Sequence, residues 1–175
     1  MATTTSLMTF AQFEQMPEDG RRYELRNGEP IEVPLPLHRH SIPRWKLFWL
    51  LHKALGAHGQ VIAEQGFRPT ADYEYRVANV AFVSKVRWDA IPLDGNLMGA
   101  PEIVAEVLSP SNSAAEMPEK ERLCLENGCR EFWVIDPKRR TVRVSTPDGR
   151  SKTYRTGQQI PLLFGGELSL DAIFE

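Results

Sequence analysis

A chain of 175 residues, 42% hydrophobic and 25% charged, has ordinary globular composition and is long enough to bury a substantial core. Its net charge of −2 gives no overall basic footprint of the kind phosphate binders carry, although a local patch fits beneath a near-neutral total. No stretch reaches the ~18 apolar residues that a membrane span needs. Met1-Ala2-Thr3-Thr4-Thr5 has neither the basic nor the apolar region of a signal peptide. A soluble, cytoplasmic protein with no membrane partner is expected, and the spacing of Cys124 and Cys129 reads as reduced thiols rather than a zinc or disulfide pattern.

In chain order, Thr9 is placed to cap a short helix to Gln15, with Phe10 and Phe13 on one face. Tyr23–Arg26, Asn27-Gly28 and Glu29–Val33 read as a β-hairpin, because Asn-Gly favours the tight turn. Alternation puts Tyr23 and Leu25 on one face and Glu24 and Arg26 on the other. Pro30 confines the second strand to an edge. Residues Pro34 to His40 read as a loop, and Ser41 as the cap of a helix from Ile42 to about Leu55 with Pro43 in its first turn. Ile42, Trp45, Phe48, Trp49 and Leu55 form an apolar stripe, widened by Leu47, Leu50 and Leu51. Trp45, Trp49 and Trp133 are all expected to pack inward.

Gln60–Glu64 and Gly66–Arg68 give two short strands or one bent strand, and Val77–Val83 a clear one. Lys85 to Ala100 reads as a loop with at most a helical turn. Ile103–Leu108 lacks polar alternation except at Glu106, the pattern of a central strand covered on both faces. Ser113 and Glu116 stand at capping-box spacing, but Pro118 favours a helix proper from about Pro118 to Gly128. Phe132–Asp136 is a strand, Thr141–Ser145 and Lys152–Arg155 a second hairpin, and Leu168–Phe174 a short strand or helix. No repeat or linker interrupts residues 1–175, so one domain is expected.

Glu106 is the anomaly. Burying an unpaired carboxylate costs several kcal/mol, so Arg68, Arg76 or Lys120 must neutralise it, or it must hold a cation such as Mg²⁺ or Mn²⁺ with hard oxygen donors. Lys120 shares a helix face with Met117, Leu123 and Cys124, at the inward edge; it either reaches Glu106 or runs its stem over the core with its charge in water. His38 and His40 flank an arginine before a helix, in capping, surface or site roles. Lys138-Arg139-Arg140 is a short basic turn, and Ser109-Pro110-Ser111 a turn with no partners for nucleophilic catalysis.

Tyr23-Glu24-Leu25 with Asn27-Gly28-Glu29, His40-Ser41, Arg76-Val77-Ala78-Asn79-Val80-Ala81-Phe82-Val83, Glu106-Val107-Leu108-Ser109-Pro110-Ser111, Lys120, Gly128 and Glu131-Phe132-Trp133-Val134-Ile135-Asp136-Pro137 together resemble the Uma family. These are bacterial restriction-endonuclease-like proteins of the PD-(D/E)XK nuclease superfamily. The resemblance implies an α/β (α+β) fold, with a mixed central sheet flanked by helices and hairpins at both ends. It further implies a site in which Asn79, Glu106 and Lys120 stand at the catalytic positions, while Glu24, Asn79 and Glu106 stand at the metal-binding ones. Mg²⁺ or Mn²⁺ would assist hydrolysis of a DNA phosphodiester, the metal polarising the phosphate and acidifying bound water; a homodimer follows only by analogy with nucleases that cut two strands.

Two positions depart from the pattern. Leu108 stands where a lysine two residues after the second acid is usual, and Lys120 on the next helix takes that role. Ala78-Asn79 replaces Pro-Asp, so the first acid is an amide; Glu24, Glu64 or Asp72 could compensate. Three readings follow: a metal-dependent endonuclease, an impaired relative that binds nucleic acid or a protein without cutting, and a structural domain in which Glu106 and Lys120 form an internal ion pair.

Overall fold

The computed structural model describes residues 7–34, 38–109 and 116–175. Thr9 caps α1 (Phe10–Phe13) in a capping box with Gln12, each side chain bonding the other's backbone N–H. The hairpin of β1 (Tyr23–Arg26) and β2 (Glu29–Glu32) turns at Asn27 and Gly28 with φ of 48° and 77°, the left-handed pair a two-residue turn of this kind requires. Leu25 and Tyr75 exchange backbone hydrogen bonds, both 2.9 Å, and so dock the hairpin on the body of the protein.

The long helix α2 (His38–Leu55) already includes His38, ahead of the Ser41 cap that local sequence favours, and Pro43 lies inside it. A tertiary contact explains the difference. The His40 ring bonds the Val107 carbonyl at 2.6 Å, pinning the early turn where local sequence alone favours a loop.

After α2 come β3 (Gly59–Arg68), β4 (Arg76–Ser84), α3 (Lys85–Asp89), β5 (Leu97–Met98), β6 (Ile103–Val107), α4 (Glu116–Glu126), β7 (Glu131–Asp136), β8 (Thr141–Ser145) and β9 (Ser151–Tyr154). A small hairpin, β10 (Gln159–Pro161) with β11 (Glu167–Ser169), and α5 (Asp171–Phe174) follow. The main sheet has seven strands in the order β5-β3-β4-β6-β7-β8-β9. It is mixed: β6 and β7 are parallel and joined through α4, β3 and β5 are parallel, and the other neighbours are antiparallel. The expected fold is the observed one. β3 is one bent strand, broken in conformation at Glu64 with φ 57°.

Alternation along β6 divides the two cores. Ile103, Ala105 and Val107 face the layer of Leu47, Leu51 and Leu55 from α2, with Trp133, Ile160, Leu168 and Ile173. Val104 faces the other way, towards Met117 and Cys124 of α4 with Phe132 and Val134. Glu106, two residues beyond Val104, therefore points to the α4 side.

Several expectations need correction. The α2 stripe is not buried as a whole: Ile42, Trp45 and Trp49 are 46%, 48% and 61% exposed, while Leu47, Leu51, Leu55 and Trp133 are buried. A helix apolar on most of its circumference has room on the sheet for one side only, and the leucine side took it. Strands β5 and β10, two and three residues long, are too short to signal themselves. Helix α4 is helical from Glu116 and carries Pro118 in its first turn, where the missing N–H has no intrahelical partner to lose. The capping role of Ser113 and the turn at Pro110, Ser111 and Asn112 lie outside the described residues. Gly128, at φ 109°, ends α4 as expected, and the Cys129 N–H reaches back to the Cys124 carbonyl. Among the described residues no helix is long and apolar enough to cross a membrane.

Candidate active site

The site lies where β4 and β6 part. Their register runs through Phe82↔Ile103, Ala81↔Val104 and Val80↔Ala105 and then stops. The next residues, Asn79 and Glu106, substitute side chains for the ladder. Asn79 Oδ1 accepts the Val107 N–H at 2.9 Å, and Glu106 Oε1 accepts the Asn79 N–H at 3.3 Å.

Lys120 enters from α4, on the face that also carries Met117, Leu123 and Cys124. Its ammonium sits 2.9 Å from Glu106 Oε1 and 3.4 Å from Glu24 Oε1, and donates to the Val77 carbonyl at 2.7 Å. Three oxygens thus meet its three N–H donors. Glu24, brought in by the docked hairpin, also accepts the Val77 N–H at 2.9 Å through Oε1 and the Arg26 Nε–H at 2.8 Å through Oε2. Glu24, Glu106 and Lys120 are all buried. Glu24, Asn79, Glu106 and Lys120 therefore gather in one place, from β1, β4, β6 and α4.

The charges respond to that packing. Burial raises the Glu24 carboxyl, but Lys120, Arg26 and the Val77 N–H outweigh it and hold it at about 2. For Glu106 burial prevails over Lys120, and its carboxyl lies above the ordinary range. Burial works against the Lys120 ammonium, yet Glu106 and Glu24 together hold it well above the ordinary lysine range. The low Glu24 carboxyl and the raised Lys120 ammonium describe a lysine clamped between two acids, while the raised Glu106 carboxyl reports its burial.

A second tier braces the first. Arg26 bonds Glu116 at 2.7 Å, and buried Arg76 holds Glu74 at 2.7 Å and Glu119 at 2.9 Å. Both arginines tie the first turns of α4 to the sheet side of the site, which fixes where Lys120 emerges. Of the candidate partners for Glu106, then, Lys120 is the one used. Arg76 is spent on Glu74 and Glu119, and Arg68 lies over the Phe10 ring at 3.8 Å.

Glu64 and Asp72 stand apart. Glu64 binds Arg22 at 3.0 Å and Arg44 at 2.5 Å. Asp72 is exposed in the loop whose backbone carbonyl receives the Phe10 N–H. His40 touches the site's edge: its Nε2–H donates to Val107 O, beside Glu106 in the chain, and its buried Nδ1 has no partner among the described residues. Burial lowers its pKa below the ordinary imidazole range, with Arg44 adding to the effect against the Val107 bond. Arg26, Glu74, Glu116 and Glu119 were not foreseen; only Arg26 carried a sequence signal, since it shares a strand face with Glu24.

A family model described as "Putative restriction endonuclease", Uma2, matches residues 10–175. The chain belongs to the Uma2 family. Its fold is also that of a solved structure described as "a putative nuclease belonging to DUF820 from Anabaena variabilis ATCC 29413", with a TM-score of 0.82 over 95% of this chain and 97% of that one at 21% identity. Comparison with curated proteins finds no match. In this Uma2 chain, the four residues singled out in sequence by family resemblance are the ones that meet at the parting of β4 and β6.

Proposed function

We propose that this chain is a nuclease-family domain that engages nucleic acid and hydrolyses phosphodiester bonds slowly or not at all. One observation carries the reading: the Lys120 ammonium occupies the space between Glu24 and Glu106, while the Asn79 amide oxygen is engaged by the Val107 N–H. Glu24 and Glu106 supply two negative charges with the Lys120 ammonium between them, Arg26 is shared between Glu24 and Glu116, and Asn79 adds no charge.

Such a set does not fit a tightly held Mg²⁺ or Mn²⁺. Among the described residues no group of three or more His, Cys, Asp or Glu side chains is arranged around a cation position, and both Glu24 oxygens, Glu106 Oε1 and Asn79 Oδ1 already receive donors. Each unit charge on an approaching cation meets the ammonium with a repulsion of ~4 kcal/mol at 4 Å for an effective dielectric of ~20. An aspartate at position 79 would add a full negative charge in place of a neutral carbonyl. The amide tips the balance against the ion.

Calorimetric titration with Mn²⁺ beside a supercoiled-plasmid nicking assay tests this. Wild type is expected to bind weakly and nick little, and Asn79→Asp to bind at least about tenfold tighter, a difference of ~1.4 kcal/mol. Equal, tight binding by both would overturn the proposal. The second reading is a competent metal-dependent DNA endonuclease, favoured by the gathering of Glu24, Glu106 and Lys120 in one cluster. Divalent-dependent cutting by wild type that disappears in Glu106→Gln would establish that reading instead.

A further inference from the structure

Helix α2 has two faces of different character. Leu47, Leu51 and Leu55 turn into the sheet. Ile42, Trp45 and Trp49, spaced by three and four, share the opposite side and stand 46%, 48% and 61% exposed. The rings brace one another: Trp45 to Phe48 is 5.6 Å between centroids, Phe48 to Trp49 5.2 Å and Trp49 to His52 5.9 Å, all edge to face. They form a ridge of held rings rather than scattered apolar residues.

Charge on this helix is one-sided. Its 18 residues include Lys46 and Lys53 towards the ridge and no aspartate or glutamate. Among the described residues neither ammonium has an acidic partner, a state they share with exposed Arg130, Lys138 and Arg155; what sets them apart is their place beside a ridge of exposed rings. Packing the ridge against a second copy would set these lysines against their own copies with no acid on the helix to answer them. The cations select an anionic occupant, and the flat rings select one with flat apolar faces. A single nucleic-acid strand offers both along its length.

We infer that the outer face of α2 is a ridge for single-stranded nucleic acid, with bases stacked on Trp45 and Trp49 and phosphates against Lys46 and Lys53. The choice of nucleic acid over another polyanion rests on the proposed function above. The ridge lies on the side of α2 away from the Glu106 site, so it retains a strand and does not place the scissile bond.

Fluorescence anisotropy with a labelled oligothymidylate, single-stranded and annealed to oligoadenylate, tests the inference. Stacking contributes about 5- to 150-fold in affinity per base, so Trp45→Ala/Trp49→Ala is expected to weaken single-strand binding by about 25-fold or more. Trp45→Phe/Trp49→Phe should keep most of the affinity. Lys46→Gln/Lys53→Gln should flatten the log-affinity against log-salt slope by about 1.4, at ~0.7 per phosphate contact. Unchanged single-strand binding by the alanine pair overturns the ridge and leaves the nucleic-acid reading standing. Failure of wild type to bind either form overturns both. A wild-type dimer in sedimentation that the alanine pair dissolves, or equal binding of polyglutamate or anionic vesicles, assigns the face to another occupant and overturns the inference.

Discussion

Asn79 and Val107 are joined across the parting of β4 and β6, amide oxygen to backbone N–H at 2.9 Å, just beyond the last ladder pair, Val80 with Ala105. An amide makes this bond without adding charge beside Glu106, whose carboxylate is already desolvated. Asn79→Asp keeps the acceptor but adds a third acid around Lys120, whose ammonium already faces two. Without metal the variant is expected to lose ~1 kcal/mol of stability, the low end of the range for an uncompensated polar change, because position 79 is only half-buried. Mn²⁺ should restore it by binding the folded state. Urea denaturation with and without Mn²⁺ checks both signs; a variant as stable as wild type in chelator contradicts the charge balance.

Lys120→Met removes the common partner of Glu24 and Glu106. Breaking a buried pair while leaving its other members charged costs ~3–5 kcal/mol. The double variant Lys120→Met/Glu106→Gln should recover a substantial part of that loss, because the orphaned carboxylate goes too. Urea midpoints of the two single variants and the double form the cycle, and simple additivity would mean that the residues are not coupled.

Acid stability should depend on Glu24. Its carboxyl is at about 2 when folded and near 4.5 when free, so the unfolded chain takes up its proton first as pH falls. The contribution of Glu24 is fully present above pH 4.5 and lost as pH drops towards 2. By the same reckoning Glu106, raised in the fold, protonates earlier and partly offsets the loss. Glu24→Gln should be less stable at pH 7 and show a flatter stability curve between pH 4.5 and 2. At the alkaline end, the raised Lys120 contributes fully below pH 10.5 and less above it. Urea midpoints measured across pH follow both limbs.

Cys124 and Cys129 should be chemically silent in the native protein. Both are buried, and burial pushes the Cys124 thiol well above its ordinary range and Cys129 to about 12. Thiolate is the reactive form, so a colorimetric thiol reagent should find no fast-reacting cysteine at neutral pH and both in urea. Rapid native reaction would show that α4 opens readily from the sheet.

Much of this was legible because the signals are local. The Asn27-Gly28 turn, the lone acid in an apolar run at Glu106, and the inward spacing of Lys120 each follow from a few adjacent residues and the period of one element. The extra turn of α2 was not legible, since it depends on a bond between His40 and Val107, 67 residues apart. Nor was the outward turn of Trp45 and Trp49: periodicity reports which residues share a face, and a helix apolar nearly all round offers more than one face to bury. The arginine brace escaped for a similar reason. Arg26 to Glu116 spans 90 residues and Arg76 to Glu119 spans 43, and neither distance leaves a trace in local sequence.

At the parting of β4 and β6 the fold and the candidate site share the same residues. There, the same side chains that would serve chemistry also complete the backbone's own hydrogen bonding: Asn79 for Val107, Glu106 for Asn79, Lys120 for Val77. A descendant that has stopped cutting would still unravel this seam by discarding them. Substituting Asn79, Glu106 or Lys120 therefore removes a backbone partner as well as a site group, and loss of activity in such a variant has to be read beside its stability.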